Sequence, residues 1–225
     1  MKVRHTACPQ CLENGRDRHG DNLAVYPDGG QFCFSCGYHV NGRGYVVKKQ
    51  QEIPTYDIGP MPTVVFNYLG QYLSAEEIHR HFLYDSRRNR AVLKDTLPKF
   101  YWGRDGHGGD LKVLTHGEVP FHVFGEHSDT LIIVEDPVSA IAASRCYQSV
   151  ALFGSYLRPE WLKFITMLNP EHLVFWLDKD KEKEGLGLAL RFRHLFNTTR
   201  LVTELDPKCY STEVIAEFVE NCKYS

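Results

Sequence analysis

Residues 174–187, VFWLDKDKEKEGLG, carry an apolar run into two aspartates spaced i, i+2 and then into a charged turn containing glycine. The run reads as the end of a buried strand. If extended geometry persists, the period of two places Asp178 and Asp180 on one face. Two carboxylates so placed share a hard divalent cation through oxygen ligands; the plainer reading is a solvated acidic turn after a strand. A calcium loop of EF-hand spacing does not fit, because its sixth position wants glycine and here is Lys183.

About forty residues upstream the pattern repeats. Residues 131–134, LIIV, are apolar on consecutive positions, as in a strand buried on both faces, and end at Glu135. Asp136 then stands as an N-cap with Pro137 at the first helical position, opening a helix to about Tyr147. Downstream the sequence predicts a strand over 150–153, a helix from Pro159, the strand ending at Asp178, a helix over 187–196, a strand over 200–204 and a last helix from Ser211 or Thr212 to Cys222. This alternation predicts an α/β domain over 130–225, a mostly parallel sheet with helices on both faces. Ligands of such sheets bind outside the carboxyl ends of the strands, where Glu135, Asp178 and Asp180 all fall.

The N-terminus is of another kind. Cys8-Pro-Gln-Cys11 is followed after 21 residues by Cys33-Phe-Ser-Cys36, two knuckles that supply four thiolates to a tetrahedral zinc ion. Residues 22–26 and 31–34 flank a Pro-Asp-Gly-Gly turn as a hairpin, so residues 1–40 read as a zinc ribbon. A module this small buries too little apolar surface to fold unaided, and metal binding supplies the deficit. His5, His19 and His39 are alternative ligands, read as surface residues. Cys146, Cys209 and Cys222 lie outside the pattern.

Residues 41–62, rich in glycine, proline and basic residues, read as a linker. Over 63–129 the sequence predicts a small α+β subdomain: a short helix near Tyr68, a capping box from Ser74 to Glu77 opening a second helix, then basic residues interleaved with aromatics in short strands. Arg90, Arg104 and Lys112 are candidates for phosphate contacts, with neighbouring aromatics to stack on bases; a solvated face beside a core is the equal alternative.

Composition bounds what this assembly does. Net charge is −2 over 225 residues, so any phosphate binding is local, and a weak, salt-sensitive association with DNA is expected. Residues 1–50 carry seven Lys/Arg against four Asp/Glu, whereas the rest is acidic on balance. No stretch approaches the roughly 18 apolar residues of a membrane span, and no apolar run follows the first basic residues as a secretory signal requires. An intracellular setting is expected, where paired cysteines bind metal rather than form disulfides.

Strand, Glu135, helix, and later strand with Asp178-Lys179-Asp180 resemble the TOPRIM arrangement of primases, topoisomerases and some nucleases. A four-cysteine ribbon, linker, basic region and TOPRIM is the order of DnaG-type primases. The ribbon and the Tyr101-Trp102-Gly103-Arg104…Lys112 run are most similar to the primase half of bacteriophage primase-helicases. The resemblance implies synthesis of short RNA primers on single-stranded DNA from ribonucleoside triphosphates, in the bacterial host cytoplasm if the source is viral. It implies Glu135, Asp178 and Asp180 as ligands of Mg²⁺ or Mn²⁺, Arg90, Arg104 and Lys112 as nucleotide or template contacts, and a ribbon that helps select the initiation sequence. The chain departs from the family where Glu-Gly-x-x-Asp becomes Glu135-Asp136-Pro137-Val138-Ser139, and where Cys209 follows Lys208 in place of an acid. With no Walker P-loop in the sequence, a replicative helicase is expected to be a separate protein. A RecR-type recombination mediator, a TOPRIM nuclease and a catalytically lapsed single-strand-binding primase are the competing readings.

Overall fold

The computed structural model describes residues 3–13, 15, 20–33, 35–36, 38–40, 53–109 and 111–223. His19 and linker residues 41–52 lie outside them. The chain divides into two units, residues 1–52 and 53–225.

In the smaller unit, β1 (Arg4–Thr6), α1 (Pro9–Glu13), β2 (Leu23–Val25), β3 (Gln31–Cys33) and β4 (His39–Val40) include a four-stranded antiparallel sheet in sequence order. The expected hairpin turn is closed by Asp28, whose side chain accepts from the Gly30 amide at 2.9 Å, while Gly29 supplies φ +83°. Among its described residues little but Cys8, Cys11, Leu23, Ala24 and Cys33 is buried. An apolar core this small cannot hold the unit alone.

The larger unit begins with β5 (Ile58–Gly59), inside the stretch read as linker, which pairs antiparallel with residues 84–85. Helices α2 (Thr63–Leu69) and α3 (Ala75–His81) follow, then β6 (Phe82–Asp85), β7 (Arg90–Leu93), β8 (Phe100–Asp105) and β9 (Val113–Gly117). These strands form an antiparallel sheet, β5-β6-β7-β8-β9. The Ser74/Glu77 capping box opens α3 as expected. Gly103 is required in β8: a Cβ there would lie 2.7 Å from the Tyr101 ring, which runs back along the same face to donate its hydroxyl to buried Asp85 at 2.9 Å.

The second sheet is built from β10 (Val123–Phe124), β11 (Thr130–Val134), β12 (Gln148–Ala151), β13 (His172–Phe175) and β14 (Asn197–Arg200) in the order β10-β12-β11-β13-β14. All neighbours are parallel except the edge pair β10·β12. The crossovers are α4 (Pro137–Ala143), α5 (Leu162–Leu168) and α6 (Glu182–Phe192), and α7 (Thr212–Lys223) closes the described chain. Ile132, Val134, Val174 and Trp176 face one core with α4, α7 and the antiparallel sheet; Leu131, Ile133, Leu173 and Phe175 face another with α5 and α6. The expected α/β architecture with helices on both faces is present, and the first core runs unbroken from Val65 to Val219, joining the two sheets.

Several boundaries differ from the sequence reading. Helix α4 stops at Ala143 rather than near Tyr147, with the Ser144 hydroxyl turned onto the Ile141 carbonyl at 2.7 Å. Helix α6 starts at Glu182, five residues before the expected Gly187; Glu182 and Glu184 occupy its first turn, where acids complement the helix dipole. Strand β14 is Asn197–Arg200 rather than 200–204, in register with 172–175. Strand β13 ends at Phe175, so extended geometry does not reach Asp180. Among the described residues no helix is long and apolar enough to cross a membrane.

Candidate active site

The parallel ladder carries Glu135 and Asp178 past the strand ends. Backbone bonds from Trp176 N to Ile133 O (2.9 Å) and Leu152 N to Val134 O (2.8 Å) hold the three chain segments together at that edge. Glu135 then accepts the Asp178 amide at 3.0 Å through Oε1, and Gly154 N donates to its carbonyl at 3.2 Å. Both carboxylates line a cavity of about 410 Å³ at the carboxyl edge of the sheet, whose opposite wall is Trp102, Arg104, Lys112 and Val113 from the antiparallel sheet.

The electrostatics of this edge are those of carboxylates held close together. Burial, then the neighbouring Asp178 charge, pushes the Glu135 carboxyl up to about 7. Burial, then Asp206, pushes Asp178 up to about 6, with Lys208 working the other way. Two acids that resist ionisation side by side are relieved when a cation joins them, which is the donor set a hard divalent ion takes.

Asp180 is placed differently. After β13 the chain enters a single 3₁₀ turn, Lys179–Lys181, and the period of two is lost. The Asp180 side chain is 73% exposed, pairs with Lys181 at 2.8 Å and does not line the cavity. Arg90 is also outside it, donating to the carbonyls of Gly103 (3.3 Å) and Leu111 (2.8 Å) and so tying the strand ends together. Arg104 is inside and oriented: Nε and Nη2 donate to the Tyr68 hydroxyl at 2.9 and 2.6 Å.

Sequence reasoning passed over two members of the site, Asp206 and Lys208, by looking for an acid after Lys208. The acid precedes it, in Asp206-Pro207-Lys208, and the short 3₁₀ turn Pro207–Cys209 turns both side chains into the cavity. Burial disfavours the Lys208 ammonium, but Asp136, then Asp206, outweighs it and raises its pKa. Phe153, with φ +55°, and Gly154 complete the rim; a bulky residue in the left-handed region marks a constrained backbone.

In the smaller unit the four cysteine sulfurs lie within 4.8 Å of one another, with Cys8···Cys36 and Cys11···Cys33 each 3.6 Å apart. Tetrahedral Zn–S bonds of about 2.3 Å require sulfurs roughly 3.8 Å apart, so the cluster fits structural zinc. Against burial, the backbone amides of Cys36 and Ser35 lower the Cys33 thiol to about 7. His5 and His39 are outside the cluster and exposed.

No protein-family model and no curated protein sequence matches the chain. Solved structures do. The zinc-binding and RNA polymerase domains of the Aquifex aeolicus primase align over 99% of this chain and 81% of that one, with a TM-score of 0.55 and 12% identity. The chain has the fold of a DnaG-type primase. The primase fragment of the bacteriophage T7 primase-helicase aligns over 98% of this chain and 99% of its own at a TM-score of 0.49 and 11% identity. Within this primase fold, the cavity lies at the carboxyl edge of the parallel sheet, where the strand order reverses around β11.

Proposed function

We propose that this protein is a DNA primase that makes short RNA primers on single-stranded DNA during viral replication, by nucleotidyl transfer from ribonucleoside triphosphates. The observation that carries the reading is the convergence of Glu135 and Asp178 with Arg104 and Lys112 in one cavity. A triphosphate needs cationic side chains facing an acidic metal-binding edge.

In this reading Glu135 and Asp178 hold Mg²⁺ or Mn²⁺, and exposed Asp180 lies outside the cavity. The ion would supply neutralisation of the charge that develops on the α-phosphate and on departing pyrophosphate. Arg104, fixed by Tyr68, and Lys112 orient the phosphates, while the half-buried Phe153 on the rim offers an aromatic face to base or ribose. Arg90 sets strand geometry rather than touching substrate. The zinc ribbon contributes to choosing where on the template synthesis begins, and a separate replicative helicase would deliver the template.

The exposed position of Asp180 favours a second reading, a primase scaffold kept for single-strand binding. One experiment separates the two: primer synthesis by purified protein on mixed single-stranded templates with labelled ribonucleotides and Mg²⁺ or Mn²⁺, beside Glu135→Gln and Asp178→Asn. Short template-dependent products that vanish in both variants are expected. Retained strand binding with no product under any metal or template would overturn the primase reading.

A further inference from the structure

The cavity contains four carboxylates, and they are not equivalent. Glu135 and Asp178 are in no ion pair among the described residues, and the Glu135 side chain accepts only the Asp178 amide. Asp136 and Asp206 are already engaged. Asp136 caps α4 through Oδ1, accepting from Val138 N at 2.9 Å and Ser139 N at 3.2 Å; its Oδ2 accepts the Ser139 hydroxyl at 2.8 Å and Lys208 Nζ at 3.0 Å. The same Nζ donates to Asp206 Oδ2. The lysine side chain is only 11% exposed, and burying an ammonium is costly unless opposite charges surround it. Two carboxylates do so here.

We propose that Lys208 is a resident counter-cation occupying the place of a second divalent ion, so that the cavity binds one divalent cation, on Glu135 and Asp178, and Asp206 is withheld from it. The inference rests on the metal-binding role given to this edge above. Paired-ion sites hold their metals about 3.5–4 Å apart, bridged and flanked by carboxylates. An ammonium seated between two of the four acids consumes the negative charge a second dication would need and repels it at short range. Unlike a mobile ion, it is covalently part of the segment after β14, and its ion pair with Asp136 ties that segment to the N-terminus of α4.

The count of bound ions tests this directly. Zinc-loaded, full-length protein is titrated with Mn²⁺, followed by calorimetry and by the electron paramagnetic resonance of free ion, with no nucleotide present. Wild type is expected to take up one Mn²⁺ in the cavity, Lys208→Met two, and Lys208→Arg one. Asp178→Asn should lose more than the roughly 10–100-fold in affinity that removal of an outer partner costs, whereas Asp206→Asn, which removes a neighbouring charge but no ligand, should keep the count at one and cost less than that. The Asp206 variant keeps the test decisive if Lys208→Met does not fold. Two ions or none in wild type, no added ion in folded Lys208→Met, or a loss of affinity in Asp206→Asn as large as in Asp178→Asn would each overturn the proposal. Primer synthesis run in parallel keeps the two ideas apart. Synthesis with two bound ions sinks the counter-cation and leaves the primase; one ion without synthesis does the reverse.

Discussion

Replacing Glu135 by glutamine should stabilise the larger unit at pH 8 and do nothing at pH 4.5. The Glu135 carboxyl is raised from an ordinary 4.5 to about 7, by burial and then by the Asp178 charge. A group whose folded pKa lies above its unfolded one withdraws stability as pH rises through that interval. Below about 4.5 the side chain is neutral in both states; above about 7 it is ionised in both, and only the folded state opposes the charge. For a fully buried carboxyl this difference would amount to roughly 3 kcal/mol. Glu135 is half-buried beside an open cavity, and solvent screening brings the expectation to about 1–2 kcal/mol. Glutamine keeps the acceptor for the Asp178 amide, so the comparison isolates charge. For a unit of this size, about 1–2 kcal/mol is a rise in Tm of about 3–6 °C, read by calorimetry in buffer freed of divalent ions without a chelator, so that ribbon zinc is retained. Equal stabilisation at pH 4.5 and pH 8, or a less stable variant at pH 8, would refute the account of this edge as carboxylates held together against their repulsion.

Three further outcomes are expected. Cys33→Ser should reduce zinc, measured by mass spectrometry, from about one ion per chain to near zero and abolish the structure of residues 1–40, while the main calorimetric transition of the larger unit persists. Tyr101→Phe removes one donor from Asp85, which is wholly buried; a cost of about 1–3 kcal/mol in urea unfolding follows, and a neutral result would mean that the Asp57 and Arg87 amides and Arg88 already satisfy it. Tyr68→Phe frees the Arg104 guanidinium and should raise KM for nucleotide severalfold with kcat nearly unchanged, at roughly constant Tm; a fall in kcat alone would place Arg104 elsewhere in the reaction.

What a residue's immediate neighbours impose was legible in the sequence. The CxxC knuckles hold their sulfurs in tight turns, so the spacing itself announced a four-thiolate cluster. The consecutive apolar runs at 131–134 and 173–177 demanded strands covered on both faces, and Glu135 had to follow the first. Asp136-Pro137 had to cap what came next, because an N-cap acts within three residues of itself. The helix and strand ends were less legible, since the first turns of α6 are held by tertiary partners: Gly185 is buried against Leu177 and Arg200, and Glu182 pairs with Arg200.

The composition of the site was decided by chain segments far apart in sequence. The spacing of Asp178 and Asp180 suggested a pair, but the backbone ladder ends with the Trp176 amide on Ile133 and a 3₁₀ turn carries Asp180 into solvent. Arg90 and Arg104 look alike in sequence; one is spent on backbone carbonyls and the other is aimed by Tyr68, 36 residues earlier. Asp206 and Lys208 enter the cavity because the segment after β14 folds back on α4, where Asp136 awaits the ammonium. Local chemistry is written in short-range spacing, so the sequence alone determined the zinc cluster, the parallel sheet and the edge where a ligand would bind. Which charges meet there depends on how non-adjacent segments pack, and only the tertiary structure decided that.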